Sequence, residues 1–419
     1  MNGYPGQDQE KQRRLRVVIE RLHAGAGPAE LRREFADIIK GASAADVAAM
    51  EQALVDSGFP VEEIQRLCEV HVQVFETSLE KGKKPKAIAG HPLHSFMAEN
   101  REAERRTRAL LKASRAWAWR RGGAAAARLA LEGLSPIVIH YTRKENQLFP
   151  WLEKQGFTGP SKVMWAKHDE IRALLKDASA ALEAGEARAF RSRARALAGA
   201  VRRMIFMEER ILFPEADRRL SGLDWAAMRQ GEAAIGWAWI QPGAEYDAWA
   251  VLEASRRSAS AEAVAQAPAL APGPGPASAA QQASSLLDLN TGRIRPELLD
   301  LALRNLPLDI SVIDENDKVL YYSDSPDRIF PRSPGAIGRD VHDCHPQKSV
   351  AMVERILKAF KDKTRDKATF WIPMGDKFVV IEYRALYDAA GSYRGTLEIS
   401  QDAASLRALE GQRRLLDWD

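Results

Sequence analysis

The sequence predicts a multidomain protein whose first half is all-α, a small helical domain and then a helical bundle, and whose second half is α+β. Three observations carry that expectation. Before residue 250, stretches such as RALLKASRAWAWRRGGAAAARLALEGL and EIRALLKDASAALEAGEARAFRSRARALAGAVRRMI space their apolar residues at the helical period. From Ala254 to Ala283 the chain is dense in Ala, Pro, Ser and Gln, with almost no large apolar side chain to bury. After it come β-branched and aromatic runs, DISVIDENDKVLYYS, ATFWIPM and KFVVIEYRALYDAAGSYRGTLEIS, with turn chemistry at Gly375-Asp376 and Gly391-Ser392.

At 419 residues there is room for two or three domains, each with its own core. Residues 11–80 predict about three short helices with serine caps, ending at the lysine-rich loop EKGKKPKAIAG. Residues 87–250 predict a bundle of four helices, 251–290 a flexible linker, and 291–419 the α+β domain. A hydrophobic content of 45% with 28% charged residues is that of an ordinary globular protein. A dispersed net charge of +4 argues against nucleic acid as a partner. No apolar run approaches a membrane span, and MNGYPGQDQEKQRRLR leads into no apolar leader, so a cytoplasmic location is expected. Cys68 and Cys344 fall in different domains, which predicts no disulfide framework.

The segment HYTRKENQLFP, residues 140–150, is followed 64 positions later by MIFMEERILFP, residues 204–214. Histidine and glutamate about one turn apart, ahead of an apolar stop and a proline, are how a helix presents ligands inside a bundle. His91 and His94 open one predicted helix, His140 lies in the next, His168 in the third, and Glu208 and Glu209 in the fourth. One or two inward ligands from each of four helices predict a carboxylate- and imidazole-held di-iron or di-manganese site.

HPLHSFMAEN, HYTRKENQLFPWLEKQGFTGPSKVMWAKHDEIR and MEERILFPEA resemble the hemerythrin-like HHE cation-binding family, in the branch where that domain follows a small helical domain of unknown function and precedes a PAS domain. The resemblance implies a non-haem di-iron centre in an up-and-down four-helix bundle, two irons per chain, able to bind oxygen, nitric oxide or peroxide. It assigns the metal to His94, His140, Glu145, His168, Glu208 and Glu209, with departures. Position 144, four after His140, is lysine, and Glu145 is five after, about 140° round an ideal helix, where a bulge in the helix would be needed to bring it inward. Met204 fills the second histidine position. His71 of the first domain and His91 are the candidate replacements for the missing imidazole.

The order of elements after the linker resembles a PAS domain: an opening hairpin, short helices leading to a longer one, and three closing strands. Its notable residues are His342, Cys344 and His345 in VHDCHPQKS. Three such donors in a loop over a pocket suggest haem or metal. The competing reading is a packed, capped turn in which Pro346 opens the following helix.

No phosphate-binding loop and no helix-turn-helix accompanies these parts. The expected function is a sensor or regulator in which the di-iron bundle binds oxygen, nitric oxide or a redox signal. The PAS domain relays it through a protein partner or a homodimer, using that domain and the tail SLRALEGQRRLLDWD. The alternative is a di-iron oxidoreductase, such as a nitric oxide reductase, with haem in the PAS domain. Iron storage is a weaker third.

Overall fold

The computed structural model describes residues 85–255, 257, 286–325 and 328–411, together with 14, 17, 18, 21, 25–35, 46 and 79. His71, one candidate for the missing ligand, lies outside these residues, as does Cys68. Within 11–80 the described residues include α1, Pro28–Glu34, whose first position is the proline that helix starts favour. The chain divides into two compact units, with the break after Arg257.

The first unit is built on helices. Pro92–Ala118 forms α2, Ala124–Leu134 α3 and Ile137–Arg143 α4. The helix then loosens into a π turn over Lys144–Leu148 and resumes as α5, Phe149–Lys154. Gly159–Glu183 is α6, and Gly185, at φ 73, turns the chain into α7, Ala187–Met207. A second π turn, Glu208–Leu212, leads into α8, Phe213–Arg219. A Ser221/Asp224 capping box starts α9, Gly222–Ile235.

The buried stripe of α7, Phe190, Ala194, Leu197, Val201 and Met204, repeats at alternating steps of four and three and packs against both α2 and α6. The matching stripe of α2 runs through Leu93, Phe96, Ala103 and Leu110 but also buries Glu99 and Asn100. Glu99 meets His140 and Arg143, at the end of α4 where the first π turn begins.

Each π turn has a cause in the sequence. Pro150 has no N–H to offer the Asn146 carbonyl four residues back, and Pro214 none for Arg210. The preceding residues, Phe149 and Phe213, donate their N–H five back, to the carbonyls of Lys144 and Glu208. The repeated Leu-Phe-Pro is therefore the signature of a repeated helical bulge.

In the second unit β1, Leu287–Leu289, and β2, Gly292–Ile294, pair antiparallel around Asn290-Thr291. Residues 248–255 are helical, so regular structure reaches into both ends of the 251–290 segment. After α10, Pro296–Arg304, five strands form one antiparallel sheet in the order β4-β3-β7-β6-β5. They are β3 Asp309–Asp314, β4 Val319–Tyr322, β5 Lys367–Met374, β6 Lys377–Tyr387 and β7 Tyr393–Asp402. Gly375 at φ 65 and Gly391 at φ 77 make the two closing turns. Between β4 and β5, α11 covers Gln347–Lys361, and Leu357 packs with Ile313 and Val341. Pro346 stands at the N-cap of α11, one position before the helix. A short α12, Ala404–Arg407, follows the sheet. Among the described residues no helix is long and apolar enough to cross a membrane.

Candidate metal centre

The interior of the bundle at the level of the two π turns is a network of charges. His140, on α4, places Nδ1 2.7 Å from Glu99 Oε2 of α2 and Nε2 3.2 Å from Glu208 Oε2 of the second π turn. On α6, His168 places Nδ1 2.8 Å from Glu145 Oε1 of the first π turn. The bulge is what turns Glu145 inward, five residues after His140 instead of four, and leaves it 4% exposed. A carboxylate on Nδ1 fixes that nitrogen as the donor and leaves Nε2 of the ring to face elsewhere. The Nε2 of His168 is buried and has no hydrogen-bond partner.

Each of these carboxylates also carries a cation of the chain. Arg143 Nη1 donates to Glu99 Oε1 at 2.7 Å, and the Ala238 N–H donates to the same oxygen at 2.7 Å. Arg172 bonds both oxygens of Glu145, at 2.9 and 2.8 Å. Lys144 Nζ donates to Glu208 Oε1. Glu232 of α9 lies 3.2 Å from Arg143 Nε and 3.5 Å from Arg229. Isolated buried charges are costly, and pairing of this kind is what lets them stay inside.

Aromatic rings close the network. The Tyr141 ring stacks on His168 at 4.2 Å with an interplanar angle of 8°, and Phe149 lies parallel to the same imidazole at 5.9 Å. Lys144 Nζ sits 4.5 Å from the centroid of Tyr141, and the Arg143 guanidinium 4.3 Å from that of Phe96.

The electrostatics follow from this geometry. Burial alone would raise the Glu208 carboxyl, but the charges and hydrogen bonds of Lys144 and His140 win and lower it to about 2. Burial pulls the Lys144 ammonium down, with Glu208 opposing. His168 falls well below its ordinary value through burial and then through Lys144, Arg172 and His140. Burial raises Glu145 against the pull of Arg172, and raises Glu232 to about 7 against Arg143 and Arg229. The Tyr141 hydroxyl is pushed well above its usual range by burial and then by Glu208.

The structure thus brings His140, Glu145, His168 and Glu208 into one buried network. His91 does another job: it caps α2, its Nδ1 accepting from the Leu93 N–H at 3.2 Å, and its ring packs on Trp225 and Tyr246 at 4.8 and 4.7 Å. Burial, followed by the charge of His94, lowers it to about 4. His94 and Glu209 are only half-buried. Met204 is in the core at 1% exposure, a packing residue at the position where the resemblance implies an imidazole.

The di-iron arrangement does not fit these residues. Both oxygens of Glu99, Glu145 and Glu208 are already engaged by protein groups, leaving none of these three carboxylates free to bridge two ions. Among the described residues no three His, Cys, Asp or Glu side chains gather into a group that would hold a metal as they stand. The nitrogen without a partner is Nε2 of His168, and the donors a metal could share with it are Nε2 of His140 and Oε2 of Glu208, which face each other at 3.2 Å, a set for one ion and not for two.

Nothing local in the sequence marks Glu99, Arg143, Arg172, Tyr141 or Glu232, and Lys144 stands where the resemblance implies a carboxylate. Arg143-Lys144-Glu145 reads as a solvated charge run in one dimension. The available signal was that all three precede a Leu-Phe-Pro stop in a segment whose flanks are apolar.

In the second unit, His342, Cys344 and His345 each find a partner in their own turn. Asp340 caps the 3₁₀ turn Val341–Cys344, accepting from the His342 N–H at 3.0 Å and meeting His342 Nδ1 at 2.6 Å. Cys344 Sγ donates to the Asp340 carbonyl at 3.4 Å, and His345 Nδ1 to that of Val341 at 2.7 Å. Burial lowers His345. This is the geometry of the capped turn.

Comparison with known proteins agrees with the order of these parts. A family of unknown function, DUF438, matches residues 15–81, the hemerythrin HHE cation binding domain matches 91–216, and a PAS domain matches 299–404. No curated protein matches the chain. Among solved structures, the C-terminal domain of a Streptococcus mutans protein is 32% identical over 30% of this chain and 97% of its own, with a TM-score of 0.29. The PAS domain of a Colwellia psychrerythraea protein is 17% identical over 26% and 97%, with a TM-score of 0.22. The PAS domain of Bordetella pertussis BvgS is 18% identical over 26% and 90%, also with a TM-score of 0.22.

Proposed function

We propose that this chain, which belongs to the hemerythrin HHE proteins carrying an N-terminal DUF438 domain and a C-terminal PAS domain, is a sensor or regulator whose bundle reads oxygen, nitric oxide or a redox signal through a bound metal. The HHE cation-binding domain and the PAS domain together support a metal-binding sensor. The observation that carries the finer reading is the buried, unpartnered Nε2 of His168, in a ring oriented from its other side by Glu145.

His140, His168 and Glu208 would hold the metal, which supplies the capacity to bind a diatomic ligand or exchange an electron. Glu99 and Glu145 orient the two imidazoles, and Arg143 and Arg172 hold those carboxylates in place. Phe96, Tyr141 and Phe149, all buried, keep water out. The Tyr141 hydroxyl, buried without a partner and kept protonated, is a donor for whatever enters. Output by protein contact is supported by the edge strand β5, where Phe370, Trp371, Ile372 and Met374 are exposed on the PAS domain.

The test is the absorption spectrum of the iron-loaded full chain when reduced, exposed to air and treated with nitric oxide. Distinct spectra without steady consumption of the gas are expected. Identical spectra in all three states would end the sensor reading, and sustained turnover with a reductant would put the oxidoreductase in its place. A Soret band in the same spectra would identify haem in the PAS domain.

A further inference from the structure

Lys144 and Glu208 occupy corresponding positions. Each is the first residue of a π turn, each lies five residues before a Phe that precedes a Pro, and their numbers differ by 64, the spacing of the two motifs. Two equivalent bulges in facing helices thus present a cation and an anion, and these bond each other at full burial. In a bundle that took all its positive charge from bound metal, both positions would be expected to carry a ligand.

The remaining charges point the same way. Glu99, Glu145 and Glu208 are matched one to one by Arg143, Arg172 and Lys144, so each of these three carboxylates has a cation of the chain. Arg143 and Arg172 hold carboxylates that sit on Nδ1 of an imidazole, in orienting positions. Lys144 holds the one carboxylate that also faces an Nε2, that of His140, and its charge bears on His168 as well. Of the three cations it alone sits on the donor a metal would use.

We infer that Lys144 stands in the place of a metal ion, so that the bundle takes at most one divalent ion and only when the lysine leaves Glu208. This rests on the metal-binding reading above and adds its regulation: the site is closed by its own side chain, and loading is a competition between ammonium and metal for one carboxylate.

The experiment uses metal-free full-length protein titrated with cobalt(II) alone, read by visible absorption and by metal content after gel filtration, for the native chain, Lys144→Gln, Lys144→Met and Lys144→Arg. The native chain and Lys144→Arg should bind no more than one ion, weakly, and the two neutral variants should bind at least tenfold more tightly. Two ions per native chain would overturn the inference, as would equal affinity, or equal failure to bind, in native and neutral variants. Circular dichroism checks that the variants are folded, and if neither neutral one is, the native stoichiometry decides. A bundle that loads as described but ignores oxygen, nitric oxide and reductant would refute the sensor reading and leave this inference standing.

Discussion

The two Leu-Phe-Pro segments are built alike and used differently. In both, a proline without an N–H loosens the helix ahead of it into a π turn, and a phenylalanine donates five residues back. In the first, the turn follows His140 and directs Lys144 and Glu145 inward, both buried. In the second it follows Met204 and directs Glu208 inward while Glu209 stays half-buried. One geometric device, filled with opposite charges, gives an internal salt bridge where two like fillings would give a site demanding outside cations. The bulge is fixed by the Phe-Pro step, and the chemistry by the residues four to six places before that proline.

The largest effect should come from separating the two acids of the second segment. Glu208→Ala leaves Lys144 buried without its carboxylate and should cost about 3–5 kcal/mol of unfolding free energy, the range for breaking a buried pair from one side. Glu209→Ala, at a half-buried position next in sequence, should cost less than about 1 kcal/mol. Denaturant unfolding of both variants measures the contrast, and similar losses would mean the second π turn does not select Glu208.

Acidity should then separate the two segments. Glu208, lowered from 4.5 to about 2 in the fold, contributes stability that is complete above pH 4.5 and is lost as pH falls through 2. At about 1.4 kcal/mol per pKa unit the full contribution is at most on the order of 3 kcal/mol. Glu145 is raised, so its contribution has the opposite sign, present at low pH and lost as pH rises through its folded value. Urea unfolding between pH 2 and 4.5 should therefore show a shallower acid slope in Glu208→Gln, whereas Glu145→Gln should remove a loss of stability that sets in as pH rises above 4.5. Parallel profiles would contradict the assignment of the two carboxylates.

Much of this was legible in the chain. The helical period, the Pro- and Ala-rich break after residue 254 and the turn glycines at 375 and 391 mark the two halves and the closing hairpins because each is a local property. His140, Glu145, His168 and Glu208 could be found from their spacing and from the repeated stop. Glu99 could not, since nothing within α2 says that its carboxylate meets an imidazole 41 residues on. Nor could the pairing of Lys144, because a lysine between arginine and glutamate looks like surface until the helices are assembled. His342, Cys344 and His345 differ: proximity in sequence suggested a cofactor, and in the structure the Asp340 carboxylate takes His342 while backbone carbonyls of the same short turn take Cys344 and His345.

The coupling between Lys144 and Glu208 in the metal-free protein tests the account most directly. A double-mutant cycle of Lys144→Met, Glu208→Leu and the pair, followed by denaturant unfolding, reports that coupling alone. The account predicts that the double variant, with an apolar pair in the core, is nearer to the native stability than the sum of the single losses by about 1–3 kcal/mol. Losses that simply add would show that the two π turns do not present their charges to each other, and the resident cation would go with them.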